Sequence, residues 1–140
     1  MNVEKALGFP GKWRLVPEQC DYQLGRPPRS GRCRVEQDDD GMLSIAATWL
    51  SAGGERYRMT VEARTDGKPY PCRGNVLADE LSFEKVSPTQ LHSTTWHAGA
   101  PLQRTERELL DADTLAVRVR GRLSDGREYY NVAVYRRADD

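Results

Sequence analysis

The chain has no long apolar run; nowhere do its 140 residues approach the ~18 consecutive apolar residues that a membrane-spanning helix needs. It has no excess of either charge. Twenty-one basic and 21 acidic residues cancel, so composition supplies no long-range attraction to nucleic acid or to an anionic bilayer, and neither partner is expected. Metal-ligating residues are sparse. His92 and His97, five apart on one expected strand, point to opposite faces, and Cys20, Cys33 and Cys72 are dispersed without a CxxC. Reduced, unpaired thiols are expected, with no metal and no cofactor. Met1 to Pro10 carries Glu4 and Lys5 and lacks an apolar h-region, so residues 1–10 read as an N-terminal arm and not a signal peptide, which predicts a cytoplasmic protein. No Gly-x-Ser-x-Gly occurs, no stretch has helical periodicity, and no glycine cluster precedes a helix that would bind phosphate.

What the chain has instead is turn punctuation. Asp38-Asp39-Asp40-Gly41, Ser51-Ala52-Gly53-Gly54, Thr65-Asp66-Gly67-Lys68, Ser87-Pro88-Thr89, Ala98-Gly99-Ala100, Asp111-Ala112-Asp113 and Ser124-Asp125-Gly126 recur at short intervals. Between them the apolar residues alternate. Trp13 and Leu15 share one face of a strand that Pro17 ends; Cys33 and Val35 alternate with Arg32, Arg34 and Glu36. Leu43, Ile45, Ala47 and Trp49 form the next set, then Tyr57, Met59, Val61 and Ala63 against Arg56, Arg58, Thr60, Glu62 and Arg64. Tyr70 to Arg73 is a short edge-like strand between prolines. Leu81–Val86, Gln90–His97, Pro101–Leu110, Leu115–Arg120 and Glu128–Arg137 follow. Residues 21–30, with Gly25, Pro27 and Pro28, read as a loop. About ten strands joined by hairpins predict one all-β domain over residues 11–138, an up-and-down antiparallel barrel whose first and last strands meet.

Several of these residues also resemble a known pattern: Gly11-x-Trp13-x-Leu15, the Pro27-Pro28 loop, Asp66-Gly67-Lys68-x-Tyr70-Pro71 and Asn131-Val132-x-Val134-Tyr135. Together they resemble the calycins, that is lipocalins and fatty-acid-binding proteins, and most closely small bacterial lipocalin-like proteins. The resemblance implies a ligand-binding barrel closed at one end by Trp13. Two departures qualify it. The region from Cys20 to Ser30 is too short and proline-rich for the two lid helices of fatty-acid-binding proteins. Tyr135 matches the tyrosine of their last-strand Arg-x-Tyr, but Ala133 stands where the arginine would be. A fatty-acid carboxylate clamp is therefore not expected, and Arg118 and Arg120 alternate away from the apolar face of Val117 and Val119.

The leading functional expectation is non-covalent binding of a small, mainly apolar molecule inside the barrel. Trp49, Tyr57, Met59, Phe83, Val117 and Val119 would line the site, with Tyr129, Asn131 and Tyr135 supplying polar contacts. On the last strand, alternation alone turns Tyr130, Val132 and Val134 inward, whereas the calycin resemblance turns Tyr129, Asn131, Ala133 and Tyr135 inward. A barrel enzyme that isomerises or cyclises a bound molecule is the alternative, with Tyr129, Tyr135, His92 and Glu62 as acid–base candidates. An interaction module with a filled barrel is the third reading. Glu106 and Glu108, flanked by Arg104 and Arg107, read as a charge network on a solvated face.

Overall fold

The computed structural model describes residues 8–72 and 78–138. The expected arm therefore falls largely outside the described residues, as does Arg73. The alternating segments become β1 (Gly11–Leu15), β2 (Asp21–Tyr22), β3 (Ser30–Gln37), β4 (Met42–Leu50), β5 (Arg56–Arg64) and β6 (Tyr70–Pro71). They continue as β7 (Glu80–Ser87), β8 (Gln90–His97), β9 (Ala100–Asp111), β10 (Thr114–Arg122) and β11 (Glu128–Ala138). All pair antiparallel in the order β5-β4-β3-β1-β11-β10-β9-β8-β7-β6, and β2 adds to the edge of β11 beyond β1. The first and last long strands meet through Lys12–Ala138 to Leu15–Tyr135. The sheet is a nearly closed up-and-down barrel. Its seam lies between β5 and β7, bridged at Asp66–Glu84 and by the Gly67 N–H donating to the Phe83 carbonyl at 2.8 Å.

Aspartate chemistry makes the turns. Asp38, Asp66, Asp111 and Asp125 each accept, through one carboxylate oxygen, the backbone N–H two residues on, at 2.9–3.0 Å. Such a side chain mimics a backbone turn and is favoured over a strand continuation. The expected loop at 21–30 differs from the reading in one detail. Pro17–Gln19 forms a single 3-10 turn, after which Asp21 and Tyr22 return to pair with Val132 and Asn131.

Period-2 alternation places Trp13, Val35, Leu43, Ile45, Val61, Ala63, Leu81, Phe83, Leu91 and Leu115 in one buried cluster inside the barrel. Trp13, 1% exposed, seals one end. Its indole N–H donates to the Phe9 carbonyl at 3.0 Å, and the Arg137 guanidinium lies 4.3 Å from its ring centre. Arg137 also donates to the carbonyls of Gly8 and Pro10 at 2.9 and 3.1 Å. Residues 8–10 of the expected arm are thus part of the barrel floor, with Phe9 buried in the core. Gly11 sits at φ +137°, a backbone conformation that strains any residue with a side chain, and its lack of a Cβ leaves room for that guanidinium.

Alternation alone is corrected at β11. The inward face is Tyr129, Asn131, Ala133 and Tyr135: buried Ala133 faces Val117, and Tyr135 faces Leu115 and Leu15. Val132 and Tyr130 point outward, opposite Arg118 and Arg120. The stem of a long arginine covers such apolar surface, and the Arg120 guanidinium sits 4.6 Å from the Tyr130 ring centre.

Gly121 faces Tyr129 directly across β10 and β11, and the tyrosine ring occupies the space that a Cβ on Gly121 would take. The Tyr129 hydroxyl accepts from the Gln103 amide at 2.8 Å, which fixes the ring there. Gly121→Ala is expected to cost about 1–3 kcal/mol by overpacking, where an alanine in an open strand would be neutral or stabilising. In a Tyr129→Ala background the same substitution should cost nothing, a coupling that a double-mutant cycle in urea measures directly. A second prediction concerns the floor. Trp13→Ala should lower stability by about 3–5 kcal/mol, read from the shift of the urea midpoint.

Candidate functional site

The core cluster fills one end of the barrel, and above it a cavity of about 360 Å³ remains. Small inward residues leave the space. Cys33 on β3 and Ala47 on β4 are directly paired and occupy positions where larger side chains would close it. Ile45, Met59, Leu91, Leu115 and Val117 supply apolar walls, Phe9 lies at the floor end, and Arg26, Pro28, Ser51 and Ala52 come from the loops at the opposite rim. The volume lies in the range of small-molecule sites, and the lining is mainly apolar with a few convergent polar groups.

The polar groups contributed by the strands are Arg107, Tyr135, Tyr22 and Cys33. Arg107 corrects the sequence reading: it does not belong with Glu106 and Glu108. Glu108 pairs with Arg118 at 2.8 Å, and Glu106 lies 3.8 Å from His92, on the outer face. Arg107 alternates inward between Thr105 and Leu109, in one cross-strand row with Leu91, Val117 and Ala133. A guanidinium therefore enters the cavity from β9, in the same row as the alanine that occupies the expected arginine position on β11. Its Nη1 donates to the Ser93 hydroxyl at 3.1 Å, and its carbon lies 6.0 Å from the Phe83 ring centre. Among the described residues no carboxylate pairs with it.

Burial sets the charge inside. It lowers the pKa of Arg107, yet a guanidinium starts so high that it stays protonated at neutral pH. Burial raises the Tyr135 phenol well above its ordinary value, with Cys33 and Tyr22 adding to the shift and Arg107 opposing it. The Tyr22 phenol and the Cys33 thiol are also pushed up, chiefly by burial. The strand walls thus present one cation, Arg107, among hydroxyl and thiol groups that remain neutral, and the rim loop adds a second, the exposed Arg26.

The residues expected at the site separate into three sets. Trp49, Met59, Val117 and Tyr135 line the cavity. Tyr57, 45% exposed at the rim, stacks on Trp49 with ring centres 5.6 Å apart, and Phe83 is buried in the core beneath Arg107. Val119, Tyr129 and Asn131 share the inward face but do not line the cavity. Tyr129 is held over Gly121, while the Asn131 carboxamide oxygen accepts from the N–H groups of Gln23 and Leu24 and so anchors the rim loop. Two of the acid–base candidates, His92 and Glu62, face outward: His92 contacts Arg104 at 2.8 Å and Glu62 accepts from Ser44 at 3.3 Å. Cys20, Cys33 and Cys72 are unpaired thiols, and among the described residues no group of His, Cys, Asp or Glu gathers as a metal site.

A pH dependence follows from the buried phenol. Below the ordinary phenol pKa of 10.0, Tyr135 is protonated in folded and unfolded chains alike. Above it, the unfolded chain ionises first, so stability present at neutral pH is lost as pH rises toward the higher folded value. Tyr135→Phe should flatten this alkaline loss, which thermal melts across that range compare between variant and parent.

No protein-family model matches the chain, and no curated protein does. Solved structures do. Wild-type fluorescent protein UnaG aligns over 98% of this chain and 100% of its own, at 18% identity and a TM-score of 0.62. A Schistosoma mansoni fatty acid binding protein in complex with arachidonic acid aligns over 94% and 96%, at 14% identity and a TM-score of 0.63. A redesigned β-barrel, mFAP1, bound to DFHBI, aligns over 94% and 96%, at 12% identity and 0.55. Among the described residues no helix is long and apolar enough to cross a membrane. With ten strands in one nearly closed antiparallel path and β2 added beside β11, the chain has a calycin-type barrel fold of the fatty-acid-binding-protein kind.

Proposed function

We propose that the protein binds, without covalent chemistry, a small and mainly apolar molecule carrying one anionic group, held inside the barrel with the anion toward Arg107. The observation that carries this reading is a guanidinium in an apolar cavity with no carboxylate partner among the described residues. A buried charge without a counter-charge is costly. A ligand carboxylate or other oxyanion would complete it, and guanidinium geometry suits two oxygens at once. The Tyr135 hydroxyl, kept protonated by burial, can donate to the same anion. Burial of the ligand's apolar body against Ile45, Met59, Leu115 and Val117 would supply affinity at ~25 cal/mol per Å². The S. mansoni barrel of similar fold holds arachidonic acid, a long apolar chain ending in a carboxylic acid; that likeness supports the class of ligand and not its identity.

The test compares decanoate with decanol as displacers of a fluorescent anilinonaphthalene sulfonate. Decanoate should displace the dye at least about tenfold better from the parent protein, the worth of a charge-assisted hydrogen bond. Arg107→Leu should erase the difference, while leaving the empty protein at least as stable, because an uncompensated buried charge is replaced by an apolar side chain. Equal displacement by acid and alcohol in the parent protein, or a collapse of the fold in Arg107→Leu, would reject the reading and make Arg107 a structural residue.

A further inference from the structure

A second concave site lies on the outside of the barrel, across β1, β3, β4 and β5, and encloses about 610 Å³. Its walls are two cross-strand rows. One runs Arg14, Arg32, Thr48, Arg58, and the other Ser30, Leu50, Arg56. Four guanidiniums and two hydroxyls therefore face a groove floored by Leu50 and the intervening backbone. Among the described residues, Arg14, Arg56 and Arg58 have no acidic partner.

Elsewhere several outward arginines meet carboxylates: Arg118 with Glu108, Arg122 with Glu128, Arg127 with Asp125. In the groove, like charges stand directly opposite one another, Arg14 against Arg32, with Arg136 opposite Arg14 on the far side. Such pairing is destabilising in an empty sheet. A polyanion seated in the groove would turn the repulsion into attraction, and guanidinium forks match phosphate oxygens in pairs.

We propose that this groove is a binding site for a small molecule bearing a run of phosphate groups. Concavity favours such an occupant over a bilayer, whose flat surface would meet only the groove's rims. The limited extent of the basic field disfavours a nucleic-acid strand. Beyond the neighbouring row of Lys12, Arg34, Ala46 and Thr60, the next row is Glu36, Ser44 and Glu62, which would repel a continuing phosphodiester chain. The groove adjoins the cavity across Trp49, which lines both, but its arginines are distinct: Arg14, Arg32, Arg56 and Arg58 all lie outside the cavity lining.

Isothermal titration with inorganic tripolyphosphate tests the assignment on the full chain. One tripolyphosphate should bind per chain, more tightly than orthophosphate. Arg14→Gln/Arg32→Gln and, separately, Arg58→Gln should each weaken it about tenfold or more. Arg122→Gln, which removes the same charge from a paired site on another wall, should leave the affinity unchanged. Decanoate displacement of the dye serves as a check that each variant keeps its barrel. Absence of tripolyphosphate binding overturns the proposal, as does an equal loss in Arg122→Gln, which would reduce the effect to diffuse charge. Binding confined to phosphatidylglycerol-containing vesicles or to an RNA oligonucleotide, and not displaced by tripolyphosphate, also overturns it.

Discussion

Every other feature of the structure depends on the backbone ladder that joins β11 to β1. A sheet with one apolar face cannot stay open in water, and here the solution is to turn that face inward and pair the first strand with the last. β11 bonds β10 along one edge and β1, then β2, along the other. Trp13 and Arg137, directly opposite in that ladder, meet over the floor and bring Gly8 to Pro10 with them. The cavity exists because the floor is sealed by large side chains such as Trp13, Ile45 and Phe83, while Cys33 and Ala47 above them leave room. Closure thus creates both the hydrophobic core and the space beside it.

The balance of charge in the whole chain conceals an uneven distribution. Twenty-one positive and 21 negative residues sum to zero, yet the two outer walls differ. On β10, Arg118 and Arg122 meet carboxylates, whereas Arg14 on β1 stands directly opposite Arg32 on β3. A third environment lies inside, where Arg107 enters an apolar cavity with no carboxylate partner among the described residues. Near-neutral composition argues against non-specific attraction at long range, but it places no limit on local fields, which decay over about 10 Å in salt. Discrete anion sites are therefore compatible with an overall neutral protein.

The strands and turns were largely legible because their determinants are local. Aspartates at Asp38, Asp66, Asp111 and Asp125 terminate strands by bonding N–H groups two residues away, and the apolar period of two is read directly along the chain. Arg107 was not legible. In Leu102 to Leu110 the apolar residues fall on both parities, so alternation gives β9 no inside, and an arginine between two glutamates looks solvated. Only its neighbours Val117 and Leu91, both from other strands, turn it inward. The last strand misled in the opposite sense. Val132 and Val134 outrank Asn131 and Ala133 in hydrophobicity, but the outer face can shelter apolar side chains under arginine stems, and the inner face needs a small residue opposite Val117.

The amino-acid order by itself determined the class of fold, the number and approximate bounds of its strands, and the meeting of the two ends, because these follow from turn chemistry and from the geometry of a pleated chain. It also marked Trp49, Met59, Val117 and Tyr135, each on an apolar alternating face or a matching motif, and these line the cavity. Tertiary structure decided the rest: which face of β11 looks inward, that Arg107 enters the cavity, and that four arginines from three strands surround one outer groove. Such properties depend on cross-strand register, and register is set by closure of the entire sheet, where residues separated by more than a hundred positions become neighbours.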